Sequence, residues 1–292
     1  MAGRPEAEVE IDEELLRTLL RQQHPDLAGL PLVPGHGGWD NEVWRLGDDL
    51  AIRIPRRALG APLVLHEQRW LPELGPRLPV PVPVPLRVGR PGAGYPWHWS
   101  VCPWVEGLPA VTTHGTGGAR LVEGLAAFVI ALHVPAPGDA PRNPYRGVPL
   151  GDRDADVRDR LAALAGSDRL VALWDEAVTA PPWDAEPMWV HGDLHPANLL
   201  VDGDGTLAAV LDFGDLASGD PAADLAVAWM VFDAAARARF MARVTTSCGW
   251  DDAMWRRAHG WAINLGSSFA VHADGDAEFT AIAEHTLRQV LL

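Results

Sequence analysis

Residues 189–215 constrain the fold most, because they interrupt a mainly helical second half with two short apolar strands. The strands, at 199–201 and 208–211, are separated by a turn with the sequence Asp-Gly-Asp-Gly, and this pattern predicts a β-hairpin. The hairpin brings the residues that follow its second strand back to those that precede its first strand. The sequence therefore predicts a polar site at the open end of this hairpin, because polar residues stand on both sides of it.

These polar residues have the spacing of a kinase catalytic segment. Asp193 and Asn198 are separated as Asp-x-x-x-x-Asn, and Asp212 begins an Asp-Phe-Gly sequence after the hairpin. A carboxylate beside an attacking hydroxyl can accept its proton, and an amide oxygen with a second carboxylate can hold Mg²⁺ on phosphates. We therefore predict Asp193 as catalytic base, and Asn198 and Asp212 as magnesium ligands. The structural alternative makes them a helix cap, a turn residue and a strand-end residue.

The first third of the chain is rich in strands and the remainder is mainly helical. Prolines at 79–85 favour extended chain, and the proline- and glycine-rich residues 135–149 favour a loop. This distribution predicts an α+β fold with two lobes, residues 1–103 and 104–292. The pattern predicts strands at 42–46, 50–54 and 97–101, and helices at 11–23, 63–74, 119–133, 152–165, 169–177, 224–232, 237–244, 252–265 and 277–291.

The charge of the chain is unevenly distributed. The formal net charge is −15, with 13 acids against 11 arginines in residues 1–103 and 26 acids against 13 arginines in residues 104–292. An acidic second part disfavours nucleic acid and attracts cations, although solubility alone explains it equally well. The acidic N-terminal segment and the absence of a long apolar run predict a cytoplasmic protein that does not span a membrane, as a monomer or homodimer.

Several motifs together resemble the aminoglycoside phosphotransferase family, which has a protein-kinase-like fold. The resemblance covers nearly the whole chain and implies a five-stranded sheet in the first lobe, ATP or GTP in the cleft, and an acidic substrate pocket in the helical lobe. It also implies the same roles for Asp193, Asn198 and Asp212. The matching segments are Gly37-Gly38-Trp39-Asp40-Asn41, Trp104-Val105-Glu106-Gly107, HGDLHPANLL at 191–200, Asp212-Phe213-Gly214, and GDPAADL at 219–225.

The nucleotide site departs from the family pattern, because the chain has no lysine. Arg53 stands where the family's strand lysine holds the α- and β-phosphates, and Glu67 in the next helix matches its carboxylate partner. Arginine can donate to phosphate bidentately, but its planar fork differs from a compact ammonium group. The structural alternative for Arg53 is a surface strand residue, and that for Glu67 is a solvated helix acid. The glycine-bearing loop could also be an ordinary hairpin turn. The remaining predicted nucleotide contacts are Gly37, Gly38, Trp39, Val101, Cys102 and Trp104.

The acceptor side is predicted from acids beyond the Asp-Phe-Gly sequence. Asp215 and Asp220 follow it closely, and Glu278 and Glu284 lie in the last helix. Asp220 has a structural alternative, in which it caps a helix, since aspartate is favoured at such caps. We predict three supporting residues, His191, His195 and Asp224. His195 is expected to orient the catalytic loop by a hydrogen bond. In the structural alternative for Asp224, this residue also orients that loop.

Two features disfavour a protein kinase. Gly192 stands where protein kinases have an arginine, and the GDPAADL sequence begins five residues after Gly214, which leaves no room for a long activation segment. We therefore expect a magnesium-dependent O-phosphotransferase that inactivates a cationic antibiotic: an aminoglycoside, a cationic peptide or a macrolide. The alternatives are a metabolic kinase for choline, a sugar or a homoserine-like compound, and a non-catalytic protein that sequesters its ligand.

Overall fold

The protein, described by a computed structural model over residues 6–35, 37–113, 118–273 and 275–292, has an α+β fold. His36, in the predicted glycine-bearing loop, lies outside the described residues. The helices are α1 Glu13–Gln23, α2 Ala61–Leu74, α3 Ala119–Leu132, α4 Asp154–Ala163, α5 Asp168–Val178, α6 Ala222–Leu225, α7 Val227–Val231, α8 Ala234–Cys248, α9 Asp252–His272 and α10 Ala277–Val290. The strands are β1 Leu32–Pro34, β2 Asn41–Leu46, β3 Leu50–Pro55, β4 Arg87–Gly89, β5 Trp99–Pro103, β6 Leu108–Pro109, β7 Met188–Val190, β8 Leu199–Val201, β9 Leu207–Val210 and β10 Ala217–Gly219.

The first part of the chain forms an antiparallel sheet with strand order β1-β2-β3-β5-β4. This confirms the five strands that the family resemblance implies. The strand pattern itself predicted only three of them, because β1 and β4 are three residues long and expose the apolar side chains of Val33 and Val88. A division into lobes at residue 103 stays a prediction.

Strand β3 shows how this sheet directs a charged side chain toward the cleft. Ile52 and Ile54 are fully buried in a cluster with Leu16 and Leu20 of α1. Side chains alternate between the two faces of a strand, so the intervening Arg53 lies on the opposite face, which α2 covers.

The helical part is organised around α9, which packs against α4, α5, α6 and α10. An ion pair in the interior joins α9 to Asp220, which lies two residues before α6. Arg257 Nε donates to Asp220 Oδ2 at 2.7 Å, and both side chains are buried. Asp220 Oδ1 also accepts from the Ala222 amide at 3.0 Å. Both carboxylate oxygens of Asp220 are therefore engaged inside the protein, as in the structural alternative. The substrate contact stays a prediction.

The predicted hairpin is present as β8 and β9, and β6 adds a third strand beside β8. A second small sheet, β7 with β10, was not predicted. Strand β7 ends one residue before His191, and β10 begins two residues after Asp215. These two sheets therefore fix both ends of the polar segment. Within the described residues, no helix is both long and apolar enough to cross a bilayer.

Candidate active site

Residues 191–198 form a loop between β7 and β8, and its glycine is required by the backbone. Gly192 has φ +84°, and a Cβ there would lie 2.5 Å from the carbonyl oxygen of Asp215. Only glycine adopts such a conformation at this distance without strain. The position at which protein kinases have an arginine is thus filled here by the backbone of Asp215.

His191 joins this loop to the end of the hairpin. Its Nδ1 accepts from the amide of Asp193 at 3.2 Å, and its Nε2 lies 2.9 Å from the carbonyl oxygen of Leu211. A carbonyl oxygen only accepts, so Nε2 carries the proton and the ring is neutral. The Leu211 amide donates to the carbonyl oxygen of Asn198 at 2.8 Å. Asn198 and Asp212 are therefore neighbours, as the hairpin pattern predicted.

Asp224 fixes the backbone at the start of the loop by hydrogen bonds. Its carboxylate is fully buried and accepts from the amides of His191, at 2.7 Å, and Gly192, at 2.9 Å. His133 Nε2, directly after α3, lies 3.0 Å from Asp224 Oδ2. This geometry matches the alternative in which Asp224 orients the catalytic loop. No local pattern predicted His133, because it only follows an apolar helix.

Asp193 is an ionised carboxylate held by two basic side chains. Its Oδ2 lies 3.2 Å from His195 Nε2, and its Oδ1 accepts from Arg146 Nη2 at 3.2 Å. Burial by itself raises the pKa of Asp193, but His195 and then Arg146 outweigh it and hold the pKa well below its usual range. Arg146 was not predicted, because it lies in the loop at 135–149, where no local pattern marks it.

The nucleotide side is built around Arg53. Its Nε donates to Glu67 Oε2 at 2.9 Å, and its Nη2 donates to Asp212 Oδ1. Asp212 has φ 58°, a left-handed conformation that costs a non-glycine residue free energy. Asp212 Oδ2 lies near the glycine-bearing loop: a Cβ built on Gly38 would be 3.8 Å from this oxygen. One arginine therefore joins the strand, helix α2 and the Asp-Phe-Gly sequence.

Three other predicted nucleotide contacts lie at residues 101–104, and each has a group that is already hydrogen-bonded or buried. The carbonyl oxygen of Val101 accepts from Leu86 at 2.7 Å, and the amide of Trp104 donates to Asp49 at 2.8 Å, so both of these backbone groups are already paired. The Cys102 thiol is buried, and burial together with Glu67 raises its pKa to about 12, which keeps it protonated.

The glycine-bearing loop also contacts the last helix. Gly37 is half-buried, and Trp39, beside Gly38, is 41% exposed. The Trp39 ring centroid lies 6.5 Å from that of Phe279 in α10. Phe279 in turn lies 6.3 Å from the ring of His195. These contacts place an aromatic edge on the cleft between the glycine-bearing loop and the catalytic loop.

The donor atoms fit a magnesium ion shared with phosphates. Asn198 Nδ2 donates to the carbonyl oxygen of Asp193 at 2.9 Å, which leaves the amide oxygen of Asn198 for a cation. Asp212 Oδ2 supplies a second hard oxygen, the type of ligand that Mg²⁺ prefers. No group of three or more His, Cys, Asp or Glu side chains that could hold a metal occurs among the described residues. Phosphate oxygens and water would therefore complete the coordination.

Only one of the predicted acceptor-side acids lies beside Asp193. Asp215 accepts from Asn143 Nδ2 at 2.7 Å, and burial together with the charge of Asp193 raises its pKa. Glu278 and Glu284 are exposed on α10, Glu278 next to Phe279 at the mouth of the cleft. A cavity of about 210 Å³ opens beside Asp215 and is lined by Tyr145, Arg146, Arg153, Arg160, Asp215, Asn264 and Ser268. This side of the site is therefore rich in arginine and not acidic.

The role of Asp224 can be tested by Asp224→Ala. The change leaves two buried amides without an acceptor, so we expect a loss of about 1–3 kcal/mol in the free energy of unfolding and faster hydrogen exchange in residues 191–198. Asp233→Ala is the matched control, because Asp233 accepts from an amide at the start of α8, at 2.8 Å. Equal exchange rates in the two variants would contradict the role.

A second prediction concerns Glu67. Burial, opposed by Arg53, raises its pKa from 4.5 to about 7, so the folded protein binds its proton more tightly than the unfolded chain. Stability from this group is therefore fully present below pH 4.5 and is lost as the pH rises to about 7. The free energy of unfolding is measured in urea at pH 5 and at pH 8. Between these pH values it should fall less in Glu67→Gln than in the wild type. Glu73 is exposed on the same helix, so Glu73→Gln should show the pH dependence of the wild type. If Glu67→Gln shows that pH dependence too, a group other than Glu67 titrates.

Comparisons with known proteins agree with this geometry. A profile of the phosphotransferase enzyme family matches residues 31–261. The uncharacterized protein YcbJ of Bacillus subtilis (strain 168) is 30% identical over 91 residues, which are 31% of this chain and 29% of that protein. The match thus spans less than a third of this curated relative.

Solved structures of the same fold cover nearly the whole chain. The GDP complex of aminoglycoside 2'-phosphotransferase-IIIa superimposes with a TM-score of 0.71 at 19% identity, over 96% of this chain and 99% of that one. Macrolide 2'-phosphotransferase MphH from Brachybacterium faecium gives a TM-score of 0.64 at 22% identity, over 94% and 97%. These likenesses confirm the kinase-like α+β fold. With the profile match across most of its length, the chain belongs to the phosphotransferase enzyme family.

Proposed function

We propose that the chain is a magnesium-dependent O-phosphotransferase that moves the γ-phosphoryl group of ATP or GTP to a hydroxyl of a small, antibiotic-like molecule and thereby inactivates it. The observation that supports this most is the convergence of Asp193, Asn198 and Asp212 at one end of a hairpin, opposite Arg53. Phosphoryl transfer needs positioning and charge neutralisation more than covalent chemistry, and these residues supply both.

Each residue has a part in the proposed reaction. Asp193 orients the acceptor hydroxyl and takes its proton late, because its low pKa makes it a weak base and the transition state is loose. Arg53 donates to the phosphates of the nucleotide, while Glu67 holds its guanidinium in place. Asn198 and Asp212 would hold Mg²⁺, which neutralises charge on the phosphates when it is bound.

The segment after the Asp-Phe-Gly sequence favours a small acceptor. The chain passes from Gly214 into β10, which pairs with β7, and then directly into Asp220 and its ion pair. No long segment lies between them on which a peptide substrate could dock. The two solved structures described above are named as an aminoglycoside and a macrolide phosphotransferase. A streptomycin–ATP–APH(2")-IIa complex has a similar fold, with a TM-score of 0.58 at 15% identity. Nucleotides in these structures are GDP and ATP, so both donors stay in the proposal.

The charge of the acceptor is a separate question. The acidic second part of the chain led us to expect a cationic antibiotic, which needs acids around the acceptor. The structure buries Asp220 against Arg257 and places Asp215 in a cavity that three arginines also line. This observation favours a second candidate, a metabolic kinase whose acceptor is not a polycation.

The proposal predicts that Asp193→Asn strongly slows transfer and leaves nucleotide binding intact. General-base positioning contributes about 10²–10⁴-fold to rate, so we expect a loss of that size in turnover. Transfer is measured with labelled ATP and GTP against a panel of antibiotics and hydroxylated metabolites, with the product located by mass spectrometry. Asp159→Asn, an exposed aspartate on α4, is the control and should behave as the wild type does.

Two results would contradict the proposal. Near wild-type turnover in Asp193→Asn would exclude Asp193 as the base. Ligand binding without product or nucleotide hydrolysis in the wild type would favour the ligand-sequestering alternative.

A further inference from the structure

We propose that the acceptor carries an anionic group, a carboxylate or a phosphate, which Arg146, Arg153 and Arg160 bind in the cavity beside Asp215. This inference rests on the proposed transfer at Asp193 and adds the chemical class of the acceptor. It reverses the cationic acceptor that the overall charge of the chain predicts.

The position of the cavity links it to the reacting carboxylate. The cavity is about 210 Å³ in volume and lies between the loop at 135–149, helix α4 and helix α9. Arg146 lines it and also donates to Asp193 Oδ1 at 3.2 Å. Arg146 thus connects the cavity to Asp193, so a molecule whose charged group binds Arg146 could reach Asp193 with a nearby hydroxyl.

The three arginines differ in how far carboxylates neutralise them. Arg146 pairs with Asp193 Oδ1 at 3.2 Å, and its Nε lies 4.0 Å from Asp215 Oδ2. Arg160 Nη2 donates to Asn264 Oδ1 at 2.5 Å and Arg160 Nε to Ser267 Oγ at 3.3 Å, and both of these partners are neutral. Within the described residues, no carboxylate lies within ion-pair distance of Arg160. Arg153 pairs with Asp156 at 2.5 Å, but that carboxylate is 55% exposed and outside the cavity lining.

Two of the guanidinium groups also have donors without acceptors. The Nε atoms of Arg146 and Arg153 are buried and have no hydrogen-bond partner among the described residues. A buried donor without an acceptor costs free energy, and a charged one costs more. An oxyanion in the cavity would supply the missing acceptors.

Electrostatics within the cluster agree with this geometry. Burial lowers the pKa of Arg160, and the charges of Arg153 and Arg146 lower it further, while the charge of Asp156 opposes them. Asn264 and Ser267 are buried and keep the guanidinium in place. The cluster is thus a partly desolvated set of three cations near Asp156, Asp193 and Asp215. Within the described residues, Arg160 hydrogen-bonds only neutral groups, so it would repel an ammonium group.

The shape of the arginine side chain indicates which chemical group the cavity binds. Its planar fork binds carboxylate and phosphate with two parallel hydrogen bonds. An anion in the cavity would also draw Arg146 away from Asp193 Oδ1, which frees that oxygen for the acceptor hydroxyl. The hydroxyl oxygen then bonds to the γ-phosphorus, the bond from that phosphorus to the β-phosphate oxygen breaks, the proton passes to Asp193, and the nucleoside diphosphate leaves.

The first experiment measures binding alone. With the nucleotide site saturated by Mg²⁺ and a non-hydrolysable ATP analogue, glucuronate and glucose 6-phosphate are titrated against the full chain by calorimetry. Arg160→Gln should weaken binding of at least one of them by about tenfold or more, and Arg160→Lys, which keeps the charge, should weaken it less. Arg169→Gln, exposed on α5, makes the same charge change away from the cavity and should bind as the wild type does.

The second experiment measures transfer to glucose, glucosamine, glucuronate and glucose 6-phosphate, which share a skeleton and differ in charge. The expected result is a kcat/KM about tenfold higher or more for an anionic member, with Arg160→Gln raising KM more than it lowers kcat. Preference between glucuronate and glucose 6-phosphate distinguishes carboxylate from phosphate.

The outcomes separate the inference from the proposed function. Transfer to glucose or glucosamine in preference to both anions, with no effect of Arg160→Gln, would overturn the inference and leave phosphoryl transfer standing. Absence of transfer and of nucleotide hydrolysis with these four sugars and with the panel of antibiotics and hydroxylated metabolites would overturn the proposed function. In that case the calorimetry still decides on the cavity: equal anion binding by the wild type and Arg160→Gln would reject the anion site.

Discussion

The site depends on one buried carboxylate, that of Asp224, which accepts two successive amides of the catalytic loop. A buried acceptor that satisfies adjacent donors fixes the backbone more firmly than packing alone. From there the constraint passes through the ring of His191 to the end of β9. Asp193, Asn198 and Asp212 come from two separate segments, and their common alignment follows from this chain of hydrogen bonds.

The second constraint is the choice of arginine at the strand position next to the cleft. A guanidinium has donors in a fixed plane, so Arg53 contacts Glu67 and Asp212 together. Asp212 is thereby tied to the first part of the chain, and the strain of its left-handed backbone is compensated by these contacts and by the amide of Gly214 at 3.3 Å. At the position predicted to hold the phosphates, arginine thus supplies a positive charge as lysine would, with donors fixed in one plane.

Much of this arrangement could be predicted from local sequence. Asp-x-x-x-x-Asn and Asp-Phe-Gly stand on either side of a recognisable hairpin, so the end of that hairpin predicted which residues meet. The three-residue strands β1, β4, β7 and β10 were missed, because so short a segment shows no alternation. Asp220 was assigned to the acceptor because its acidity is visible in sequence, whereas its partner Arg257 lies 37 residues away. The arginines of the cavity come from a loop and from α4, and only the packing of α4 on α9 brings them to Asp215.

The acidic chain and its arginine-lined cavity show that net charge and local charge are different properties, and that the local charge bears on the acceptor. The central claim, however, concerns the phosphoryl-transfer site itself. A crystal structure with Mg²⁺ and a non-hydrolysable ATP or GTP analogue tests it most directly. We expect the metal on the side-chain oxygens of Asn198 and Asp212 and on phosphate oxygens, with Arg53 donating to the phosphates. A nucleotide bound away from Arg53, or a metal held without Asn198 and Asp212, would contradict the account.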